Sequence, residues 1–290
     1  MTLRVDAHRH FWSWSDSAVD YSWMEGPYQE LQRDYLAEHA AQATQDVGPD
    51  LCVAVQARQV LVESDFLLGL ADAEASIVGV VGWVDLCSPG VGETLENLAA
   101  NSVFRGVRHW ISYEPDVEFM LRPDFIRGIN QLTRLDLTYD LMLLPQHLPV
   151  AARLAKLCPD QRFVLDHMAG PPIADGGVEP WADGIRGLAA APNVSCKLSG
   201  FTTLVEWRRW TPKQFKPFID VAVKAFGVKR VMFGSDWPVC TCSSNYAEVV
   251  RTLIGLLEGL SPSDLDAVLG GNAVQFYGLA KSRNYQATSA

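Results

Sequence analysis

Short apolar runs rich in Val, Leu and Ile recur along the chain at 3–10, 51–56, 77–85, 106–110, 138–144, 162–167, 194–198 and 230–236. Each is bounded by turn residues and reads as a β-strand. Between them lie stretches with apolar residues at helical spacing, among them 31–42, 65–75, 123–135, 149–157, 212–226 and 247–260. Ser64 before Asp65, Thr211 with Pro212, and Ser261 with Pro262 read as helix starts. Strands that alternate with helices pair in parallel through right-handed crossovers, because each helix must carry the chain back before the next strand begins. Eight such units close most economically into an α/β fold of the (β/α)8 TIM-barrel type, as a single unit over residues 1–280; an open doubly wound sheet is the alternative. No G-x-G-x-x-G turn supports a dinucleotide-binding version of that alternative. The polar segment 281–290 reads as a flexible C-terminal tail.

One irregularity interrupts the rhythm. Residues 11–28, directly after the first strand, carry Trp12, Trp14, Tyr21, Trp23 and Tyr28. An aromatic-rich loop of this length serves either as a lid or wall of a binding site or as a plug against the outer helices.

Composition narrows the function classes. The 290 residues are 48% hydrophobic and 20% charged, which suits a large globular core. The 24 Lys and Arg stand against 34 Asp and Glu for a net charge of −10, which opposes nucleic-acid backbones and anionic membrane surfaces and favours small-molecule chemistry. The sequence shows neither a leader pattern nor an apolar run of about 20 residues, so a soluble, cytoplasmic protein is expected. The six cysteines lack a disulfide rhythm and read as reduced thiols; Cys240 and Cys242 offer a weak C-x-C metal signal. Oligomeric state is not legible.

The candidate chemistry sits at the expected strand ends. His8 and His10 stand two apart on the first strand, hence on one face and roughly 7 Å apart at Cα. In a barrel, the C-terminal strand ends open into one cleft, so residues far apart in sequence meet there. Gln56 closes the second strand, Asp85 the third, Arg108 and His109 the fourth, Asp166-His167 the sixth and Asp236-Trp237 the eighth, while Lys197 lies on the seventh. Alternation lets only one of Arg108 and His109 face inward. Asp6 shares the expected face of His8 and His10 but lies deeper, which suits a structural role. Asp236 can take a proton from water while His8, His10 or a bound cation polarises a carbonyl, an arrangement suited to hydrolysis. Arg108, His109, Gln56 and Trp237 are the candidate substrate-binding residues.

His8-x-His10, the run Phe163-Val-Leu-Asp-His-Met-Ala-Gly-Pro-Pro172 and Gly234-Ser-Asp-Trp-Pro238 together resemble the amidohydrolase superfamily. More narrowly they resemble its branch of sugar lactonases and related lactone hydrolases. The resemblance runs over nearly the whole chain, including Phe104-Arg-Gly-Val-Arg-His109, Asn193-Val-Ser-Cys-Lys-Leu-Ser-Gly200 and Gly271-Asn-Ala-Val-Gln-Phe-Tyr-Gly278. It implies a hydrolase opening an aldonolactone such as L-fucono- or L-rhamnono-lactone, with Asp236 as general base and His8, His10 and His167 lining the reacting centre. It also implies that the released alcohol takes its proton from the acid form of Asp236. Residues 140–145, Asp-Leu-Met-Leu-Leu-Pro, lack the ligand that two-metal members place near strands four or five. The expected cofactor is therefore none, or one divalent ion, Zn²⁺ first among candidates, on His8, His10 and Asp236. Two other readings stay open: a decarboxylase on the same fold, and a non-catalytic barrel that binds a sugar acid or a partner protein.

Overall fold

The computed structural model describes residues 4–14, 18–48 and 51–289. Leu3 of the expected first strand, residues 15–17 of the aromatic insertion and Ala290 of the expected tail lie outside the described residues. Eight strands form, β1 (Val5–Arg9), β2 (Leu51–Val55), β3 (Ile77–Gly82), β4 (Phe104–Trp110), β5 (Thr138–Met142), β6 (Phe163–Leu165), β7 (Val194–Leu198) and β8 (Val231–Phe233). Each pairs in parallel with the next in chain order. Beyond β8 the backbone comes beside β1: Asp236 N donates to His8 O at 2.9 Å and His10 N to Trp237 O at 2.7 Å, bringing the sheet round into a barrel.

The crossovers are α1 (Ala37–Thr44), α2 (Leu61–Ala73), α3 (Val91–Ala99), α4 (Pro123–Arg134), α5 (Leu148–Leu157), α6 (Trp181–Ala189), α7 (Pro212–Phe226) and α8 (Tyr246–Leu256). Their apolar stripes face the strands; α4 buries Phe125, Ile129 and Leu132 on one side. α7 opens at Thr211, whose backbone N–H donates to Gln214 Oε1 at 2.8 Å, with Pro212 in the first turn. Ser64 does not open α2. It lies one turn inside the helix, and its hydroxyl bonds both N–H and C=O of Trp83 at 3.0 Å, tying α2 to the end of β3. Burying that hydroxyl is favourable because both of its roles are satisfied.

Apolar side chains fill two bodies. A large layer between strands and helices includes Leu67, Phe104, Phe125, Phe163, Phe215 and Leu253. A smaller cluster joins Val5, Ala7, Val53, Val81, Val164 and Met232 to Ala273, Phe276 and Tyr277. The last three belong to α10 (Asn272–Tyr277), which follows the short α9 (Pro262–Asp266) and packs against β1 and β8. The expected flexible tail is instead a final helix, α11 (Arg283–Ser289). Asn284 Nδ2 donates to Ala71 O and Ile77 O at 2.7 and 2.8 Å, so two carbonyls at the α2–β3 connection hold the segment down. Among the described residues no helix is long and apolar enough to cross a membrane.

β1 departs from simple alternation. Asp6 pairs with Cys52 and Arg9 with Ala54, so β1 carries one more residue than β2 across that interval, a β-bulge. Asp6 and Arg9 both reach Tyr246 Oη of α8 on the outer side, at 3.3 and 3.2 Å, whereas Val5 and Ala7 join the smaller cluster. Asp6 thus does not share a face with His8. Its carboxylate accepts from Ser235 N, Ser235 Oγ and His8 N at 2.8, 2.6 and 3.1 Å, binding β1 to the turn that presents Asp236.

Candidate active site

His10, His167 and Asp236 stand one to three residues beyond the ends of β1, β6 and β8, where the backbone has left the ladder. His167 and Asp236 have φ of 50° and 59°, uncommon for residues with a side chain and concentrated at functional sites. Two glycines make room for His8 and His167. A Cβ on Gly234 would come 2.7 Å from His8 Cβ, and one on Gly200, itself at φ 66°, would come 2.7 Å from His167 Nδ1.

These turns converge on one oxygen. Asp236 Oδ1 lies 3.3 Å from His10 Nε2, 3.8 Å from His8 Nε2 and 3.9 Å from His167 Nε2. His10 Nδ1–H donates to Val55 O at 2.8 Å, and His167 Nδ1 meets Ser199 Oγ at 2.8 Å, so both rings turn Nε2 toward the carboxylate. His8 and His10 Nε2 atoms are 3.1 Å apart. Arg108 points inward, its Nη1 3.2 Å from both His8 Nε2 and Asp166 Oδ2.

Beneath this cluster lies a layer of fully buried charge. Lys197 Nζ is 2.5 Å from Asp140 Oδ2, 2.9 Å from Asp166 Oδ1 and 3.0 Å from His8 Nδ1, and Tyr277 Oη donates to Asp140 Oδ2 at 2.8 Å. Burial, with Lys197 adding to it, holds the His8 pKa well below its ordinary value. Burial likewise lowers His167. For Asp166 burial works upward, but Lys197, His8 and Arg108 outweigh it and hold the carboxyl well below the usual range. Asp140 is pushed up to about 6 by burial despite Lys197.

Above the cluster opens a cavity of about 490 Å³ floored by His10, Arg108, His167 and Asp236. Trp23, Tyr28, Trp110 and Tyr113 contribute aromatic wall, and Met142, Leu143 and Leu144 aliphatic wall. The insertion after β1 is therefore both wall and plug: Trp23 and Tyr28 face the cavity, while Trp12 is buried against Tyr21 and Tyr35. Burial raises the Tyr28 hydroxyl to about 12, so it remains a neutral donor.

Four sequence expectations change. His109 faces outward, stacked on Phe119 with Nε2 2.6 Å from Glu114 Oε1, because alternation on β4 gives the inward place to Arg108. Gln56 does not line the cavity; its carbonyl accepts from Arg108 Nη2 at 2.5 Å, so it steadies the guanidinium. Trp237 is buried between Phe11 and Tyr35, away from the cavity. His8 is itself fully buried, one layer below the floor. Sequence alone places Asp166 only at the end of the sixth strand, with no role, and gives Asp140 none, although an acid inside the fifth strand facing a lysine inside the seventh is a signal: opposite charges at strand centres are rarely placed there unpaired.

Two groups of potential metal donors occur among the described residues, His8–His10–Asp236 and His8–Asp166–His167, each with ligand atoms within 4.8 Å of one another. The first fits one divalent ion of the zinc type, with two imidazole nitrogens, one carboxylate and a second-shell carbonyl already on His10. Cys240 and Cys242 belong to neither group; burial raises both thiols, Cys242 to about 12, and leaves them protonated and poor ligands.

The amidohydrolase family model matches residues 5–279. The chain is 38% identical over 290 residues to an L-fucono-1,5-lactonase of Burkholderia multivorans, with 96% of each chain covered. It is 32% identical over 285 residues to an L-fucono-1,5-lactonase of Burkholderia ambifaria, again with 96% of each covered. An amidohydrolase crystal structure from Burkholderia multivorans with bound zinc matches at a TM-score of 0.91 and 37% identity, over 95% of this chain and 99% of that one.

Proposed function

Because the chain belongs to the amidohydrolase family, we propose that it hydrolyses a sugar lactone, an aldonolactone such as L-fucono- or L-rhamnono-lactone, to the open sugar acid. The observation that carries this reading is one carboxylate oxygen, Asp236 Oδ1, facing three imidazoles, His10 and His167 at the floor of a cavity wide enough for a sugar ring and His8 directly beneath it.

In this reading Asp236 removes a proton from a water beside the lactone carbonyl. The new C–O bond forms as the carbonyl electron pair moves onto oxygen, where Arg108 and the imidazoles of the floor offer positive potential. Collapse breaks the ring C–O bond, and the departing alkoxide takes the proton held by Asp236, which returns to its carboxylate form. A lactone is an activated ester, so this demands less electrophilic help than an amide. Ser199 and Val55 hold the two rings that flank Asp236, so orientation is set before substrate arrives. His8, His10 and Asp236 would hold a divalent ion, which when bound supplies Lewis-acid polarisation of the carbonyl.

The test is ring opening of a lactone panel followed with a pH indicator, with and without chelator, beside a CO₂ assay on hydroxybenzoates. Ring opening of an aldonolactone that is lost in Asp236→Asn supports the reading. No opening of any lactone, or CO₂ release alone, overturns it.

A further inference from the structure

The wall of the cavity above Asp236 holds few polar groups free to meet a ligand. Trp23 Nε1 donates to Ala57 O and Thr203 Oγ1 to Gly200 O, each at 2.9 Å, so both donors are engaged. Trp110 Nε1 and Ser112 Oγ are buried beneath the wall surface, out of reach of anything in the cavity. Two phenols remain, Tyr28 and Tyr113, whose hydroxyls have no hydrogen-bond partner among the described residues. Tyr113 is 65% exposed and stands at the rim in water, whereas Tyr28 is half-buried. The Tyr28 ring packs on Trp23 and Trp207, with centroids 6.0 and 5.3 Å away, and its neighbour Glu30 pairs with Arg208 at 2.7 Å. These contacts tie the insertion after β1 to the segment after β7, so the phenol is held in place before a ligand arrives. Burial first, and then the charge of Asp236, raise the hydroxyl to about 12, which makes it a neutral donor within the field of that carboxylate.

We propose that Tyr28 is a specificity-determining residue whose hydroxyl bonds a ring hydroxyl of the substrate, so that the site prefers a hydroxylated lactone to a bare one. The inference rests on the lactone reading and adds to it the group that recognises the sugar. Arg108 and the imidazoles meet the carbonyl from the floor, so a donor presented by the wall meets what projects from the ring. In an aldonolactone those projections are hydroxyls, and a phenol, both donor and acceptor, matches them in either direction. On the aliphatic side Met142, Leu143 and Leu144 offer no polar side chain. A ring turned so that its hydroxyls face them loses water without gaining a partner, and that penalty fixes how the ring sits over Asp236.

Tyr28→Phe keeps the ring contacts and removes only the hydroxyl. The comparison is of kcat/KM for L-fucono-1,5-lactone and for δ-hexanolactone, which has the same ring and methyl group without the ring hydroxyls. Wild-type protein should prefer the hydroxylated lactone, and in Tyr28→Phe that preference should shrink about tenfold, the size of effect expected when a desolvated polar group loses its partner. The δ-hexanolactone value should not change. A preference that is equal or larger in the variant overturns the proposal, because the hydroxyl would then serve both substrates alike or neither. Where wild-type protein opens only one of the two lactones, or neither, calorimetric titration with the open acid of L-fucono-1,5-lactone decides: binding about tenfold weaker in the variant supports the proposal, and equal binding, or none by the wild type, overturns it. Failure of the lactone reading shows as no ring opening by wild-type protein, whereas failure of the Tyr28 assignment shows as a preference or an affinity that the variant retains.

Discussion

The layer below Asp236 and the wall above it differ in almost every physical respect. Below, Lys197, Asp140, Asp166 and His8 are fully buried and hold one another through charge and hydrogen bonds reaching from β1 to α10. Removing one partner there strands another buried charge, at a cost of about 3–5 kcal/mol. Above, Trp23, Trp110, Tyr113 and Leu144 meet substrate space through apolar area, and Tyr113 and Leu144 are 65% and 39% exposed. The lower layer sets the reactive groups, and the upper one sets what reaches them. In the proposed reaction, chemistry and substrate choice would thereby be carried by different elements, which is how one barrel supports many reactions by loop variation.

Substitutions that separate the two layers sharpen this contrast. The largest effect is expected from Asp236→Asn, which keeps shape but removes the proposed base: kcat for lactone opening should fall about 10²–10⁴-fold with the melting temperature nearly unchanged. Retained turnover would take Asp236 out of the reaction. Trp23→Ala should act on the other side of the divide, raising KM about tenfold while kcat moves little, as expected for loss of binding shared by ground and transition states. A fall in kcat equal to the fall in kcat/KM would place Trp23 in the lower layer's work.

Acid provides a third lever. His8 and His167 have lowered pKa values in the fold, against about 6.5 in the unfolded chain. The unfolded state therefore takes up protons that the fold refuses, and this contribution to stability is present above pH 6.5 and drains as pH falls below it. Asp140, raised to about 6, and Glu63, also raised by burial, work in the opposite sense, since the fold protonates them before the unfolded chain does, but these two carboxyls oppose three imidazoles, because burial lowers His147 as well. The melting temperature should drop between pH 6.5 and 5.5, and His167→Gln should make that drop shallower; an equal drop in the variant would assign the acid sensitivity elsewhere. The smallest effect belongs to Leu144→Ala at the rim. It should change unfolding free energy by no more than about 0.5 kcal/mol, since the side chain is partly in water, and alter only the ranking of lactones in a substrate panel.

Much of the fold is legible locally because strand and helix periods are properties of short windows. All eight apolar runs become strands, yet β8 stops at Phe233 and β6 at Leu165, shorter than their apolar runs, because the turns that follow must aim Asp236 and His167. Arg108 and His109 illustrate the limit: alternation states that one faces inward, and only the register of β4 between β3 and β5 selects Arg108. α11 was unreadable for a similar reason. Its segment is polar, and the carbonyls that hold Asn284 belong to residues some 200 positions earlier in the chain.

The amino-acid sequence by itself determined the alternation of eight strands with helices and the presence of His8, His10, His167 and Asp236 near strand ends, since periodicity and turn chemistry act over a few residues; closure into a barrel instead of an open sheet came from the tertiary structure. Tertiary structure alone decided that the β1 bulge sends Asp6 outward and His8 inward, that Lys197 meets His8, and that His109 and Trp237 leave the cavity. Those outcomes depend on closing a ring of strands, where a shift of one residue reverses which side chains face inward, and no local window contains that information.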